Sequence, residues 1–394
     1  MEIRILEGDE RNLCNRLWAQ AFSRGERSTN WIGDDEGNDE DKPPVVVCGV
    51  FDSAGLQACL TINGYQLYFG ENVILPMGGI GGVACLPASR GKGYAGALLK
   101  FAIDKMKEDK QPISALFPFS WEFYRRYGYE WVGVQRDTKL PTKILSTCLE
   151  TENVRLLEDN EMERIKPVYE KFAKGYRACL KRPESIWKDF CTHSEKRFRY
   201  IYVAEFDGEI EGYVNFTLPE EGDDAHLREF VTLTPRARRA LFGLLKRHEM
   251  QFTHFHWKAP EDDTLWGAFY HWDIETKIRP VYMGRVVDAE TALALLKPST
   301  YFRGEFRLKL VDRYAPWNER VLRVAFGEGN VEVEETEAKP NLRMDIQAFS
   351  QLYFGSPDAD YLLRAGRVTV EDEVAYHALR SLVSGPPVFT NDHF

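Results

Sequence analysis

The sequence predicts an α+β protein of three units, in which mixed β-sheets are flanked by helices. A helix, a β-hairpin, a strand, a second helix and a further strand follow one another in the first part of the chain, and the same succession returns from residue 165. A third region, beginning near Val286, combines an Ala/Leu-rich helix with several strands. With 394 residues and 44% hydrophobic side chains, the chain can fill several hydrophobic cores.

The first unit opens with an amphipathic helix over residues 11–24, because its apolar side chains recur at helical spacing. Two apolar runs of strand length, 45–51 and 56–62, flank turn residues and so predict a hairpin. A glycine-flanked strand at 83–86, the kind of segment that marks a bulge or a close backbone approach, leads into the glycine loop 90–96. The remaining elements of this unit are predicted at 65–74, 97–103, 114–119, 121–127 and 129–134.

The second unit repeats this outline without clear sequence identity to the first. Its predicted elements are a helix at 165–176, a hairpin of 200–206 and 210–216, a strand at 227–233, a helix from Pro235 and a strand at 252–257. The third unit begins with a helix at 288–296 whose N-cap is Asp288. It continues with strands at 306–311, 320–326 and 331–335 and with helices at 345–353 and 372–382. We therefore divide the chain into domains of residues 1–140, 141–285 and 286–394.

Charge and cysteine content exclude several classes of function. The net charge of −10 argues against nucleic-acid binding, which needs a basic surface. No apolar run reaches 18 residues and the N-terminus lacks a signal-peptide pattern, so we expect no membrane contact. The seven cysteines are scattered and never spaced C-x-x-C, which is typical of reduced thiols in a cytoplasmic protein.

Two further polar patterns have a plain structural interpretation. His254 and His256 would point to the same face of a strand, but no third ligand is evident in the sequence, so we interpret them as structural histidines and expect no metal. The acidic run 34–41 is typical of a solvated loop, although it could also line a mouth that attracts cationic substrates.

The sharpest chemical signal is Arg90-x-x-Gly93-x-Ala95, placed between a strand and a helix. Glycines let the backbone approach an anion, and the N–H groups at a helix start point outward, so this loop can hold a pyrophosphate. Arg90 and Lys92 would add positive charge. Taken alone, the same six residues also fit an ordinary glycine-rich connection.

Residues 83–133 resemble the core of the GNAT acetyltransferases, in which R/Q-x-x-G-x-G/A binds the pyrophosphate of acyl-CoA. Further segments are similar to one branch, the Eis-type (enhanced intracellular survival) N-acetyltransferases, and together they cover nearly the whole chain in the right order. These segments are FPFS at 117–120, FYRRYGY at 123–129, VYMGRVVD at 281–288, DIQAFSQLYFG at 345–355 and a chain ending in Phe394. The resemblance implies two tandem GNAT-type acyltransferase domains followed by a domain like sterol carrier protein 2.

The resemblance also implies roles for individual residues. It makes Tyr124 the proton donor and the α-carboxylate of Phe394 the proton acceptor. The backbone of a splayed strand would pair with the pantetheine arm at Val83, Ala84 and Cys85. The pyrophosphate would be held by Arg90, Gly91, Lys92, Gly93, Tyr94, Ala95 and Gly96, and the far side of the coenzyme would be flanked by Phe119 and Ser120. At Gly91 the sequence departs from those relatives that carry a basic residue there.

These residue types suit the acetylation of an amine. A partly buried carboxylate can take the ammonium proton, and a tyrosine with a pKa of ~10 can protonate the departing thiolate. We therefore expect acetyl transfer from acetyl-CoA directly to a primary amine in a ternary complex. The acceptor is expected to be a small cation, with aminoglycosides, polyamines and lysine side chains all open. The resemblance further implies a homo-oligomer, with a hexamer as the family precedent.

A competing interpretation is a protein that binds a lipid or another small ligand in its third domain and has an inactive first domain. The intact glycine loop and Tyr124 favour the enzyme. The second unit is predicted to be non-catalytic, because residues 234–240 lack the glycines of the loop. Thr234 as an N-cap and Pro235 at the first helical position instead predict a plain helix start.

Overall fold

The computed structural model describes residues 1–22, 42–191, 199–217, 224–269 and 271–393. Two features discussed above, the acidic run 34–41 and the terminal Phe394, lie outside these residues. Within the described ranges the chain forms three β-sheets covered by helices.

The first part of the chain supplies most of an eight-stranded sheet. Its elements are β1 (Glu2–Leu6), α1 (Asn12–Phe22), β2 (Val45–Asp52), β3 (Gly55–Phe69), β4 (Ile74–Cys85), α2 (Tyr94–Glu108), β5 (Ile113–Leu116), α3 (Trp121–Arg125) and β6 (Glu130–Trp131). Helix α2 packs on this sheet because Leu98, Leu99, Ala102, Ile103 and Met106 recur on one face and are buried there. Strands β4 and β5 run parallel, since α2 connects them as a crossover, whereas the neighbouring pairs are antiparallel.

The middle of the chain forms a seven-stranded sheet. The elements of this part of the chain are β7 (Val134–Pro141), β8 (Val154–Leu156), α4 (Met162–Ala173), β9 (Arg177–Leu180), α5 (Glu184–Cys191), β10 (Arg199–Phe206), β11 (Glu209–Thr217), β12 (Asp224–Thr232), α6 (Pro235–Lys246), β13 (His254–Ala259), α7 (Leu265–Ala268) and β14 (Glu275–Pro280), of which β9 belongs to the first sheet. The strand order is β14-β7-β13-β12-β11-β10-β8. Helix α6 joins the parallel strands β12 and β13, as α2 joins β4 and β5.

The last part of the chain adds a five-stranded sheet of order β18-β17-β16-β19-β20. The elements of this part of the chain are β15 (Met283–Val286), α8 (Ala289–Ala294), β16 (Gly304–Val311), β17 (Val321–Gly327), β18 (Asn330–Glu335), β19 (Leu342–Asp345), α9 (Ile346–Phe354), α10 (Ala359–Arg364), β20 (Val368–Val370) and α11 (Glu373–Val383), of which β15 belongs to the first sheet. Helix α9 is buried along almost its whole length, between this sheet and the first sheet. No helix among the described residues is long and apolar enough to cross a membrane.

The first two sheets take strands from more than one part of the chain. We expected residues 129–134 to form one strand closing the first unit, but only β6 stays in the first sheet, whereas β7 begins at Val134 and pairs in the second. The segment 281–288, which spans the predicted start of the third unit, supplies β15, which lies between β5 and β6 in the first sheet. Strand β9 likewise pairs with β3. The domain limits after residues 140 and 285 thus remain a prediction about the sequence. Sheets one and two each contain strands from both sides of a limit.

Candidate active site

Strand β4 separates from β5 over its second half. The parallel pairing with β5 runs from Met77 to Ile80, whereas the pairing with β3 continues to Cys85. The bulge expected in this strand lies at Gly82, which has a φ of +56° and whose carbonyl oxygen accepts a 2.5 Å hydrogen bond from the Trp18 indole. Of the predicted residues, Val83 lies in the bulge beside Gly82, and Ala84 and Cys85 follow it. All three are on the part of β4 that is not paired with β5. Their backbone can therefore pair with an extended ligand.

The glycine loop leaves open space where a ligand anion would approach. Gly91 and Gly93 have φ values of +81° and +86°, and a Cβ atom at either position would have no atom within 4 Å. Gly93 is the N-cap of α2, and no side chain caps this helix start. An uncapped helix N-terminus offers backbone N–H groups and the positive end of the helix dipole. The exposed Arg90 and Lys92 flank the same loop, so it fits a pyrophosphate.

The next three residues of the loop connect it to its surroundings. The Tyr94 hydroxyl donates a 2.7 Å hydrogen bond to Asp52 in the turn between β2 and β3. Ala95 is half-buried. Gly96 is buried, and a Cβ atom there would come within 2.0 Å of the Tyr127 hydroxyl oxygen. A glycine at position 96 is thus required by the packing of α2 against the segment after α3.

Helix α3 carries Tyr124 into the core beside this loop. The side chain of Ser120 caps the helix by accepting a hydrogen bond from the Phe123 N–H at 3.3 Å. Phe119 is 66% exposed, and its ring centroid lies 5.1 Å from that of Tyr124. Tyr124 itself is only 2% exposed. Burial raises the pKa of its hydroxyl well above the ordinary value of tyrosine, so it stays protonated at neutral pH.

Cys85, at the end of β4, lies in an environment that disfavours its thiolate form. Burial raises the pKa of its thiol, and the opposing charges of Arg90 and Lys92 are the smaller effects. Because the thiolate is the nucleophilic form of cysteine, this raised pKa disfavours Cys85 as an acyl carrier.

The C-terminal tail docks against β9 and ends beside β5. The Arg177 N–H donates to the Pro387 carbonyl at 3.0 Å, and the Phe389 N–H donates to the Arg177 carbonyl at 2.9 Å. The ring of His393 stacks on Phe117, the residue directly after β5, with 4.0 Å between centroids and 13° between planes. The last described residue therefore lies next to the strand from which β4 separates.

Family comparisons agree with this geometry. The model of one acetyltransferase (GNAT) domain matches residues 2–132 and a second such model matches residues 178–286, together more than half of the chain. The chain belongs to the GNAT acetyltransferases. A sterol carrier protein domain matches residues 290–390, so that the order of domains is the Eis-type order expected from the sequence. The protein is thus an acyltransferase, and its GNAT domains imply acetyl-CoA as co-substrate.

Solved structures share this fold over the full length. A GCN5-related N-acetyltransferase from Anabaena variabilis is 20% identical, with a TM-score of 0.88 and 100% of both chains covered. A probable N-acyltransferase from Enterococcus faecalis is 25% identical, with a TM-score of 0.87, and the match covers 100% of this chain and 99% of that one. Eis1 from Mycobacterium abscessus is 20% identical, with a TM-score of 0.81 and 100% of both chains covered. No curated protein sequence matches the chain.

The second GNAT domain starts its equivalent helix differently. The Thr234 side chain accepts a hydrogen bond from the Ala237 N–H at 3.2 Å, and Pro235 occupies the first helical turn of α6. The helix start that is open in α2 is thus capped by the protein's own side chain in α6. Strand β13 carries both histidines, His254 and His256, and each contacts a carboxylate oxygen of Asp224 at 3.0 Å.

A pocket of ≈ 430 Å³ lies beside the end of the tail. It is lined by Arg182, Ser185, Ile186, Asp189, Phe190, Arg228, Glu229, Asn391, Asp392 and His393. No local spacing in the sequence connects these residues, because they come from the segment after β9, from α5, from β12 and from the tail. A local signal was Glu229, a buried acidic residue followed by the apolar Phe230 and Val231 in β12.

Proposed function

We propose that this GNAT protein transfers an acetyl group from acetyl-CoA to a primary amine, in a ternary complex at its first domain. Two features together carry the proposal. Helix α2 begins after Gly93 without a side-chain cap, and the second half of β4 is not paired with β5. In the second domain the corresponding helix is capped by Thr234, which supports a single coenzyme site per chain.

The residues of the first domain fit the coenzyme in three places. The N–H groups from Gly91 to Gly96, with Arg90 and Lys92, would hold the pyrophosphate, and the backbone of Val83, Ala84 and Cys85 would pair with the pantetheine arm. Phe119 and Ser120 would flank its far side, Ser120 also capping α3. When bound, acetyl-CoA supplies an activated acyl group as a thioester.

Proton transfer would be shared between two groups of this chain. Tyr124, protonated and buried, would protonate the departing sulfur. The α-carboxylate of Phe394 would accept the proton of the amine, and its use is supported by the docked tail, which brings His393 against Phe117. Backbone N–H groups near Cys85 would stabilise the developing oxyanion. The raised pKa of the Cys85 thiol supports direct attack without an acyl-enzyme.

The charge of the pocket supports a cationic acceptor. Its lining includes the carboxylates of Asp189, Glu229 and Asp392 and the two guanidinium groups of Arg182 and Arg228. An excess of carboxylates in a partly enclosed site attracts ammonium groups. Aminoglycosides, polyamines and lysine-like amines all meet this requirement. We also propose a homo-oligomer, on the strength of the family resemblance, and a cytoplasmic location, in keeping with the six free cysteines of the described residues.

The lipid-binding alternative needs an apolar groove in the third domain. Helix α9 stands against it, because its eight buried side chains pack between the third sheet and the first.

The proposed function is tested by thiol release from acetyl-CoA with a panel of aminoglycosides, polyamines and lysine peptides, using N-terminally tagged protein. We expect release that depends on the amine and a product that carries one acetyl group. The Tyr124→Phe variant, assayed in parallel, should bind acetyl-CoA normally and turn over slowly. Binding of acetyl-CoA without amine-dependent release across the whole panel would contradict amine acetylation.

A further inference from the structure

A buried ionic cluster joins the C-terminal tail to the second domain. Arg182, which follows β9, donates from Nε to Asp392 at 2.8 Å and from its two Nη atoms to Glu229 on β12 at 3.1 and 2.5 Å. The three side chains are 2%, 8% and 5% exposed. Arg182 is therefore bound by Asp392 of the C-terminal tail on one side and by Glu229 of strand β12 on the other.

Aromatic residues fix the geometry of this cluster. The Tyr169 hydroxyl lies within hydrogen-bond distance of the Leu180 carbonyl oxygen, at 2.8 Å, and of the second oxygen of Asp392, at 3.0 Å. The Tyr213 hydroxyl donates to Glu229 at 2.6 Å. The Arg182 guanidinium lies 3.7 Å from the centroid of the Tyr169 ring. Both carboxylates and the guanidinium thus have several partners each, and Arg182 has a single available orientation.

Stability alone does not account for such a cluster. Buried ion pairs lose their hydration, and well-packed apolar residues of similar volume are often equally stable or more stable. Here two carboxylates share one guanidinium, and burial raises the pKa of the Asp392 carboxyl. What the cluster does provide is a directional contact at Asp392, one residue before His393.

The position of Asp392 determines how far the chain end can move. Two residues after a fixed Asp392 can reach at most ~7 Å, at ~3.5 Å per residue. If Asp392 is released, the Asn391 side-chain amide still donates a hydrogen bond to the Arg228 carbonyl, and the three residues beyond Asn391 reach as far as ~10 Å. Proton transfer needs hydrogen-bond contact or one bridging water, so this difference is decisive for a terminal group.

We propose that Arg182 of the second domain is a positioning residue for acetyl transfer in the first domain, because it holds the chain end through Asp392. The inference rests on the proposed function. It assigns to the second GNAT domain, whose own helix start is capped, the task of placing the chain end at the acceptor site.

The experiment compares Arg182→Met, Arg182→Lys and Asp392→Ala with the wild type, all tagged at the N-terminus. Asp392→Ala leaves Arg182 paired with Glu229 and so preserves a balanced cluster in the fold. The matched control is Arg238→Met, since Arg238 also lies in the second domain, stacks over Trp257 at 5.2 Å and pairs with Asp263 rather than with the tail. The measurements are kcat and KM for the amine, the Kd for acetyl-CoA and the rate at which carboxypeptidase A releases the terminal residue.

We expect Arg182→Met and Asp392→Ala to lower kcat at least tenfold, to change the acetyl-CoA Kd by less than twofold and to accelerate terminal release. Arg182→Lys should recover part of kcat, because it keeps the charge but not the forked donor geometry. Arg238→Met should match the wild type in all four measurements. A general loss of folded protein would instead lower acetyl-CoA binding and kcat together.

Two results would overturn the proposal. One is wild-type kcat in Asp392→Ala, and the other is a loss of kcat without faster release of the terminal residue. If the wild type itself releases no thiol with any amine, the proposed function fails separately, and the carboxypeptidase comparison still decides whether Arg182 anchors the chain end.

Discussion

Among single residues, Gly93 bears most directly on coenzyme binding, because it is the N-cap of α2 in a left-handed conformation. A Gly93→Val side chain would occupy the open space over the loop and strain the backbone. We expect acetyl-CoA affinity, measured by calorimetry, to fall at least tenfold, or ~1.4 kcal/mol. Gly208→Val is the matched control, since Gly208 has a φ of +85° with equally open surroundings but lies in the β10–β11 turn. Normal affinity in a folded Gly93→Val variant would remove the loop from the site.

Tyr124 supports a prediction about catalysis without binding. Tyr124→Phe keeps the ring contacts with Phe119 and Phe123 and removes the hydroxyl. We expect kcat to drop by roughly 10²–10⁴-fold, the range of general acid catalysis, with acetyl-CoA affinity unchanged. Tyr129→Phe is the control, because this buried neighbour uses its hydroxyl in a 2.8 Å hydrogen bond with Ser114. Equal turnover in the two variants would reduce Tyr124 to a packing residue.

The raised pKa of Tyr124 also constrains the pH profile. A phenol whose pKa is raised stays protonated above pH 10, so the donor remains competent throughout a neutral to mildly alkaline assay. Below pH 10, we expect kcat of the wild type to decline no more with rising pH than kcat of Tyr124→Phe does. Such a decline, measured by stopped assays at each pH, would contradict the buried, protonated state of Tyr124.

At the scale of elements, α2 and α6 occupy corresponding places in the two GNAT domains but start differently. Helix α2 begins uncapped after Gly93, whereas α6 begins with Thr234 bonded to the Ala237 N–H. An anion at the start of α6 would have to displace this cap, which contributes about 1 kcal/mol. We therefore predict one acetyl-CoA per chain in a calorimetric titration. Two equivalent sites would show that the second domain binds coenzyme as well.

Some elements could be predicted from the sequence, and others could not. The glycine loop, α2 and α3 were predictable, because turn glycines, a cap such as Ser120 and a helical apolar stripe are local features. The pairing of β15 with β5 was not, since a four-residue strand carries no local mark of its distant partner. The cluster of Arg182, Glu229 and Asp392 escaped for the same reason, as its members lie 47 and 163 residues apart along the chain and meet only through the sheet. At Gly96 the absent Cβ atom leaves room for the Tyr127 hydroxyl, while the contact of its backbone N–H with the pyrophosphate stays a prediction.

For the whole molecule, the important feature is that domains are joined by buried polar contacts as well as by shared strands. The tail reaches β9 and the pocket, and helix α9 packs against β15 of the first sheet. Arg285 on β15 forms a second such joint. Its guanidinium binds both oxygens of Asp312 at 2.9 and 2.8 Å, and it also donates to the Tyr127 carbonyl at 2.7 Å. This carbonyl belongs to the turn that follows α3.

The buried contacts of Arg285 predict a strong coupling between the third domain and helix α3, which carries Tyr124. Arg285 and Asp312 are 0% and 1% exposed, so Asp312→Ala leaves a buried guanidinium without its carboxylate. Loss of one partner from a buried pair costs ~3–5 kcal/mol, and we expect the urea midpoint to fall accordingly. The double variant Arg285→Met/Asp312→Ala, compared with Asp312→Ala and Arg285→Met alone, removes both charges and should recover part of that loss. We expect kcat to be lowered in both variants that lack Arg285, because the turn after α3 has lost its hydrogen bond. Strictly additive effects in this double-mutant cycle would mean that the two residues act independently, and that the third domain does not hold the turn behind Tyr124.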